Sequence, residues 1–323
     1  MTKQDLKIVF LGTPDFAVES LRQIVDNGFN VVGVVTMPDK PAGRGHKMYQ
    51  SPVKLFALEH NLHVMQPVKL KDPEFVEELR SLNADLFVVI AFRMLPEVVW
   101  TMPRLGTFNL HASLLPRYRG AAPINWAVIN GDTETGVTTF FLKHEIDTGD
   151  IIAQEKVAIL PTDNVEDVHD RLMELGAKLT IQTINDIIDG KLSPIPQDKL
   201  IGDTEPTPAP KIFKETCCID WTKDATSIHN LVRGLSPYPA AWSTLYDGDK
   251  EIGAVKIFET SPVQQAKTIS APTPGSVTVK DSRLIVATGD GDVEILSLQV
   301  PGKRRISTSE FLRGAHLSSP HFS

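Results

Sequence analysis

The run Asp85 to Ala91, DLFVVIA, restricts the possible folds of this chain more than any other stretch. It is almost wholly apolar over the length of one strand. Such a run suits a central strand of a parallel sheet, which is buried on both faces because helices cover each side. We therefore expect an α/β fold in this part of the chain.

The residues before this run support the same architecture. Leu6 to Leu11 is a short apolar run that ends at Gly12, and a helical pattern from Phe16 to Val25 follows it. Val31 to Thr36 has the composition of a second strand. Strand, glycine turn and helix in this order predict the first unit of a parallel sheet. The turn contains a single glycine, so the glycine-rich fingerprint of dinucleotide binding is not present.

The texture of the chain changes in its last third. Leu192 to Pro210 is rich in proline and predicts an extended linker. Beyond it, short β-type runs at Ser276 to Val279, Leu284 to Thr288 and Val293 to Leu298 are separated by Gly and Asp turns, which predicts a small β-barrel. We expect a first domain over residues 1–191, a linker over 192–210 and a second domain over 211–323.

Composition excludes several classes of protein. The chain has 323 residues, enough for two domains that each bury a core. No run approaches the roughly 18 apolar residues of a membrane-spanning helix, so we expect a cytoplasmic protein. The cysteines, Cys217 and Cys218, are adjacent, which indicates neither a disulfide framework nor a zinc site.

Charge divides unevenly along the chain. Residues 1–210 carry 20 Lys and Arg against 28 Asp and Glu, whereas residues 211–323 carry 13 against 12. The second part is less acidic but not basic, so net charge alone does not indicate nucleic acid. Any RNA contact must therefore use local clusters of cations.

Two polar side chains stand where a strand is expected to end. Asn109 and His111 alternate within TFNLH, so they project to the same side of a strand. An Asn amide can donate to a developing oxyanion, and a His can donate to it or move protons near neutral pH. No Ser or Cys lies in an elbow motif, which favours direct attack by a substrate group over covalent catalysis.

A carboxylate follows on a later turn. Asp147 lies in DTGD, after the apolar run Phe140 to Leu142. It could orient the imidazole or hold an attacking amine. From these residues alone, the alternative is that Asn109 and His111 are ordinary edge residues and DTGD is a plain turn.

The central motif resembles the signature of the folate-dependent formyltransferase family. The resemblance rests on NLHASLLPRYRGAAPINWA, which contains Asn109 and His111, followed by Asp147 in DTGD. The segments FLGTPDFA, PDKPAGRG, SPVK, APKI, IDW and RGLSPYPAAW occur in the family's order and extend the similarity over nearly the whole chain. The resemblance implies a Rossmann-like open parallel sheet followed by a small OB-like β-barrel.

The resemblance also implies a reaction. The donor is 10-formyltetrahydrofolate, a co-substrate, with no permanently bound cofactor and no metal. The acceptor is the α-amine of methionine on initiator tRNA, with neither DNA nor a membrane as partner. Asn109 and His111 would stabilise the oxyanion, and Asp147 would keep His111 protonated and help to take a proton from the amine.

Further residues take roles by the same resemblance. The loop MPDKPAGRGHKMYQSP, too rich in Pro and Gly to be regular, places Arg44 at the family's arginine position, where it reaches the acceptor end of the tRNA. Lys303, Arg304 and Arg305, with Arg313, form the basic cluster that we expect to contact the tRNA backbone. The folate-binding segment SLLP corresponds to Ser113, Leu114, Leu115 and Pro116.

The sequence departs from the family at one loop and leaves other functions open. Phe92 and Arg93 stand where Tyr and Gly are expected in the loop that walls the pterin pocket. The same polar trio serves formyltransferases acting on glycinamide ribonucleotide or an amino sugar nucleotide, and formyl hydrolases. A folate- or RNA-binding protein without catalysis is the alternative from a different class.

Overall fold

The computed structural model describes residues 1–42, 47–201, 205–263 and 273–323. The chain folds into two compact units, each assembled from three segments. The first unit contains Met1–Gly120, Thr135–Val157 and His169–Ala209. The second unit contains Ala121–Glu134, Ala158–Val168 and Pro210–Ser323.

Strands and helices are numbered in chain order. The strands are β1 Lys7–Gly12, β2 Asn30–Val35, β3 Lys40–Ala42, β4 Lys47–Tyr49, β5 Val64–Met65, β6 Leu86–Ile90, β7 Thr107–His111, β8 Arg119–Gly120, β9 Glu134–Phe141, β10 Ile151–Ala158, β11 Pro208–Ala209, β12 Ala241–Asp247, β13 Lys250–Val263, β14 Val277–Lys280, β15 Arg283–Ala287, β16 Asp292–Gln299, β17 Ile306–Ser307 and β18 Pro320–Phe322. The helices are α1 Asp15–Asp26, α2 Pro52–Glu59, α3 Pro73–Ser81, α4 Glu97–Trp100, α5 Pro123–Ile129, α6 Val165–Asp189, α7 Ala225–Leu235 and α8 Thr308–Gly314.

A seven-stranded sheet in the order β10-β9-β7-β6-β1-β2-β5 organises the first unit. β6 pairs parallel with both β1 and β7, and all of its residues are buried, which confirms the central strand expected from DLFVVIA. β9 runs antiparallel to β7, so the parallel arrangement ends at that strand. Apolar residues of the sheet and of α3 form a core that includes Val9, Leu79 and Phe87.

The second unit is built around an antiparallel sheet in the order β14-β15-β16-β13-β12-β18. Its two outer strands approach each other, because Ser276 bridges His321 and the Phe322 N–H donates to the Gly275 carbonyl at 2.9 Å. The sheet is therefore a nearly closed barrel. The predicted fold class, a parallel-sheet unit followed by a small β-barrel, is confirmed.

One expectation about a loop was wrong. Lys40 and Pro41 of β3 pair with Tyr49 and Met48 of β4, so the second loop contains regular structure. A two-stranded ribbon has only edge strands, where proline is tolerated because its missing N–H faces no neighbour. The polar C-terminal tail is ordered at its end, where Phe322 lies in β18, is buried and stacks on Trp221 at 5.3 Å between ring centroids.

The predicted linker is partly regular in its described residues. Ile195 and Ile151 exchange two backbone hydrogen bonds of 2.8 Å, and β11 pairs parallel with β8. Gln197–Leu200 forms a short 3-10 helix between them. The domain limits 1–191, 192–210 and 211–323 stay predictions.

A partly buried histidine on α7, His229, makes the stability of the second unit depend on pH. Burial, and then the charge of Arg233, lower the pKa of His229 below its ordinary value, while its Nδ1 lies 3.1 Å from the Thr260 hydroxyl. The unfolded chain binds a proton on this residue near pH 6.5, before the folded protein does. The free energy of unfolding should therefore fall as pH drops below about 6.5.

The His229→Gln variant should show a shallower fall in the free energy of unfolding between about pH 7 and pH 5. Urea unfolding at a series of pH values, followed by tryptophan fluorescence, measures this slope. His316, exposed on the same unit, provides the control substitution His316→Gln. Equal slopes for wild type and His229→Gln would contradict the assignment.

Candidate active site

β7 presents two polar side chains on one face of the central sheet. Asn109 pairs with Phe140 of β9 and His111 pairs with Thr138, whereas Phe108 and Leu110 project to the opposite face and are buried. Asn109 is partly exposed. Within the described part of the chain, no other group hydrogen-bonds its side-chain amide, so this amide is available to a ligand.

His111 is held in one tautomer by its surroundings. Its ring is buried and its Nε2 lies 2.8 Å from the Tyr118 carbonyl oxygen. A carbonyl oxygen can only accept, so Nε2 carries a proton and donates it to Tyr118. Nδ1 is left as the ring atom that can gain or lose a proton during a reaction.

The carboxylate of Asp147 lies beside this Nδ1. Its Oδ2 is 3.8 Å from Nδ1 of His111, and the same oxygen accepts from the Gly120 N–H at 2.9 Å. Asp147 has a φ of 54°, in the left-handed region. The distance to Nδ1 is too long for a hydrogen bond, but it places the carboxylate directly beside the imidazole ring. The structure thus brings Asn109, His111 and Asp147 to one region of the first unit.

Asp147 reaches His111 by a route that the sequence argument did not foresee. In an all-parallel sheet, the loops after β6, β7 and β9 would leave at the same edge. Because β9 is antiparallel, Phe141 pairs with Phe108, and the Leu142 N–H donates to the Thr107 carbonyl, at the start of β7. The loop after β9 therefore begins at the opposite end of β7, and its residues fold back towards His111.

Close backbone packing fixes this returning loop. A Cβ atom on Gly149 would lie 1.5 Å from the carbonyl oxygen of Phe141, which belongs to the main chain of β9. The Phe141 N–H in turn donates to the Asp150 carbonyl at 3.0 Å. No side chain can therefore be accommodated at position 149 without moving the backbone that carries Asp147.

We expect the Gly149→Ala variant to lose about 1–3 kcal/mol of unfolding free energy, as overpacked positions do, and to lose activity because Asp147 moves. Urea unfolding and steady-state turnover measure the two effects. Gly314→Ala is the matched control, since a Cβ there meets nothing within 4 Å. An unaltered Gly149→Ala protein would show that the loop has room to adjust.

Two polar side chains, those of Thr138 and Gln154, hold the backbone of the SLLP segment by hydrogen bonds. The Thr138 hydroxyl donates to the Ser113 carbonyl at 2.6 Å and accepts from the Leu115 N–H at 3.2 Å. Gln154 donates to the Leu115 carbonyl and to the Thr138 hydroxyl. Ser113 uses its own hydroxyl within the turn, donating to the Arg117 carbonyl at 2.7 Å.

Burial within SLLP is nearly complete. Ser113, Leu115 and Pro116 are buried and Leu114 is partly exposed. Most of these side chains therefore pack inside the protein, and only that of Leu114 is partly open to solvent. Folate binding by this segment stays a prediction.

Arg93, the departure from the family pattern, binds the neighbouring loop. Its guanidinium donates to the carbonyl oxygens of Pro67 and Val68, with the latter contact at 2.8 Å. Burial lowers the pKa of this guanidinium. The side chain therefore joins the loop after β6 to the loop after β5.

The predicted RNA-contacting residues are partly engaged within the protein. Arg304 lies 3.3 Å from Glu310, and Arg305 donates to the Ser297 hydroxyl at 2.8 Å. Lys303 is exposed. Arg44 lies outside the described residues.

Gln197 is a further residue of this site, and it lies within the predicted linker 192–210. Its buried amide donates to the carbonyl oxygens of Asp147 and Gly149, and it accepts from the guanidinium of Arg119. No periodicity or motif marks such a residue, because its partners are distant in sequence.

The described residues hold no group of three or more His, Cys, Asp or Glu side chains placed to bind a metal ion. In the same part of the chain, no helix is both long enough and apolar enough to cross a membrane.

The amide, imidazole and carboxylate that this α/β sheet brings together suit an enzyme of the group-transfer class. The family model "Formyl transferase" matches residues 6–184, and "Formyl transferase, C-terminal domain" matches residues 211–316. The chain belongs to the formyl transferase family.

Individual relatives cover the whole chain. The methionyl-tRNA formyltransferase of Bacteroides fragilis is 60% identical over 319 residues, which cover 98% of each chain. That of Flavobacterium johnsoniae is 50% identical, again over 98% of each chain. Among solved structures, the N-formyltransferase of Helicobacter canadensis, in complex with folinic acid and dTDP-3-aminofucose, has a TM-score of 0.66 at 21% identity and covers 90% of this chain and 98% of its own.

Proposed function

We propose that this chain transfers the formyl group of 10-formyltetrahydrofolate to the α-amine of methionine on initiator methionyl-tRNA. The observation that carries the proposal is the 60% identity, over 98% of both chains, to a methionyl-tRNA formyltransferase. The product, N-formylmethionyl-tRNA, serves translation initiation, and the cytoplasm is accordingly the expected location.

In the proposed mechanism the amine nitrogen attacks the formyl carbon directly. A C–N bond forms to methionine, and the formyl oxygen becomes an oxyanion in a tetrahedral intermediate. Collapse breaks the bond between the formyl carbon and N10 of the folate. The amine loses a proton and N10 gains one, so the reaction needs proton transfer but no covalent enzyme intermediate.

Each of the three polar residues has a defined role in this scheme. The Asn109 amide donates to the oxyanion. It is suited to this role because no described residue forms a hydrogen bond with it. Protonated His111 adds positive charge, and its Nδ1 is the available proton site because Nε2 donates to the Tyr118 carbonyl. Asp147, 3.8 Å from that Nδ1, stabilises the charged ring and accepts the proton that leaves the amine.

Donor binding is assigned to the loops around this trio. Ser113, Leu114, Leu115 and Pro116 form one wall for the folate. The loop after β6 forms another, with Arg93 holding it to the Pro67 and Val68 carbonyls. Folate enters as a co-substrate in this proposal and leaves as tetrahydrofolate.

A surface of the second unit supports RNA as the acceptor. Lys211 lies over the Phe213 ring at 5.6 Å, and Lys214 lies over the Trp242 ring at 5.4 Å. Lys256 pairs with Trp242 across the strands and is exposed. Cations beside one exposed ring, Phe213, and one partly buried ring, Trp242, suit phosphate contact and base stacking. We add this surface to Lys303, Arg304, Arg305 and Arg44 as proposed tRNA contacts.

A panel of acceptors tests the proposal. The purified protein is incubated with 10-formyltetrahydrofolate and, separately, methionyl initiator tRNA, glycinamide ribonucleotide or an amino sugar nucleotide, and formylated product is scored by mass spectrometry. We expect formylmethionine on the tRNA alone. Product with only a small acceptor would overturn the tRNA assignment, and release of formate with every acceptor would indicate a hydrolase.

A further inference from the structure

We infer that Gln197 is a positioning residue that holds the Asp147 carboxylate against His111. The inference rests on the proposed function, because it takes Asp147 to be catalytic. Gln197 is 3% exposed and begins the 3-10 helix Gln197–Leu200. It lies 50 residues from Asp147 in sequence, but in the fold its side chain contacts the main chain of Asp147.

Every hydrogen-bonding group of the Gln197 amide is used. Nε2 donates to the carbonyl oxygens of Asp147 and Gly149, each at 2.8 Å. Oε1 accepts from Nη2 and Nε of Arg119, at 2.7 and 3.2 Å. Two carbonyls on one side and two guanidinium donors on the other allow the amide a single orientation.

These bonds hold both supports of the Asp147 carboxylate. One support is the main chain of Asp147 itself, which has a φ of 54°, a conformation that non-glycine residues adopt only when their surroundings maintain it. The other is Gly120, whose N–H donates to Asp147 Oδ2 and whose neighbour Arg119 is bound by Gln197. One side chain therefore fixes the carboxylate and its hydrogen-bond donor relative to each other.

The segment that carries Gln197 is itself anchored in the first unit. Ile195 exchanges two backbone hydrogen bonds of 2.8 Å with Ile151, the first residue of β10. Gln197 is thus held at a fixed distance from the loop that ends where β10 begins. This arrangement gives a side chain outside the catalytic trio direct control over the distance between Asp147 and His111.

Gln197→Glu tests the inference with minimal change in shape. An oxygen replaces Nε2, so it faces the carbonyl oxygens of Asp147 and Gly149 and repels them, while the carboxylate still pairs with Arg119. A displacement of about 1 Å at a reacting group can cost 10²-fold in rate. We expect kcat to fall by about 10- to 10²-fold, while KM for donor and acceptor stays within about threefold, since the Gln197 side chain is buried and its amide is fully used within the protein.

Gln182→Glu is the control. Gln182 is exposed on α6 of the same unit, so this variant adds an equal charge away from the loop. Gln197→Asn is a milder variant, because its side chain keeps the amide but is too short to reach both carbonyls. It replaces Gln197→Glu in the kinetic test if that variant does not fold. Urea unfolding of each variant reports stability separately from turnover.

The outcomes separate the two claims. Turnover is measured with whichever acceptor the wild type formylates, so failure with methionyl-tRNA alone overturns the proposed function and leaves Gln197 testable. A lower kcat with unchanged KM values, in a folded variant, supports the positioning role. Wild-type kcat in a folded Gln197 variant, or a rise in KM without a change in kcat, overturns it.

Discussion

Replacing Asn109 with alanine is expected to lower kcat about 10²–10³-fold, the usual cost of removing one oxyanion donor. Asn109 is suited to this role because its amide has no hydrogen-bond partner among the described residues, while its strand neighbours are buried. Since the donor acts on charge that develops only in the transition state, KM for both substrates should change little.

Steady-state kinetics with 10-formyltetrahydrofolate and methionyl initiator tRNA measure this effect. Asn185→Ala removes the same atoms from α6 and provides the control, with turnover expected near that of wild type. If Asn109→Ala keeps more than about a tenth of wild-type kcat, Asn109 is not an oxyanion donor of the usual strength.

Replacing Asp147 with asparagine is expected to lower kcat by about 10²–10⁴-fold, the range for losing a general acid or base. Asparagine has nearly the same shape and retains an oxygen that can accept from the Gly120 N–H. It carries no negative charge, however, so it neither stabilises a protonated His111 nor accepts a proton from the amine. The loss should therefore appear in turnover and not in folding.

Asp150→Asn is the matched control, because Asp150 lies on the same loop and its carboxylate contacts Lys143 at 2.7 Å on the protein surface. Removal of this exposed pair should cost little. Equal turnover for Asp147→Asn and Asp150→Asn would remove Asp147 from the mechanism, and a large drop in the unfolding midpoint of Asp147→Asn would assign it a structural role.

The parts of the fold that could be predicted are those that depend on patterns among neighbouring residues in the sequence. β6 was predictable because an unbroken apolar run of strand length requires burial on both faces. The alternation in TFNLH placed Asn109 and His111 on one face of β7, and the register of β7 with β9 agrees with this. Both inferences use only residues that are neighbours in sequence.

The parts that could not be predicted depend on contacts between distant segments. The composition of β9 does not indicate whether the strand runs parallel or antiparallel to β7. Its direction determines where the loop bearing Asp147 begins. Gln197 acquires its role only from partners 48 to 78 residues away. Phe322, at the end of a polar tail, is buried because the barrel brings Trp221 beside it.

Arg93 illustrates a limit of prediction by resemblance. Arg93 stands where the family pattern has Gly, so it adds bulk and charge to the loop that walls the pterin pocket. In the structure its guanidinium donates to the Pro67 and Val68 carbonyls, so much of the added bulk is directed to the loop after β5. These acceptors lie 25 and 26 residues from Arg93 in sequence, so the motif itself does not reveal them.

The composition of the second unit from three stretches of chain has a consequence for protein engineering. α5, from the middle of the sequence, packs against α7 in this unit: Asn125 donates to the Gly234 carbonyl at 2.8 Å, and Gly234 lies so close to Ile129 that an added Cβ would be 2.5 Å from it. A truncated protein that stops at residue 210 would retain α5 while losing the helix that covers it. Chimaeras between relatives should therefore exchange Ala121–Glu134 and Ala158–Val168 together with Pro210–Ser323, since a single crossover at the proline-rich segment would pair α5 of one parent with α7 of the other.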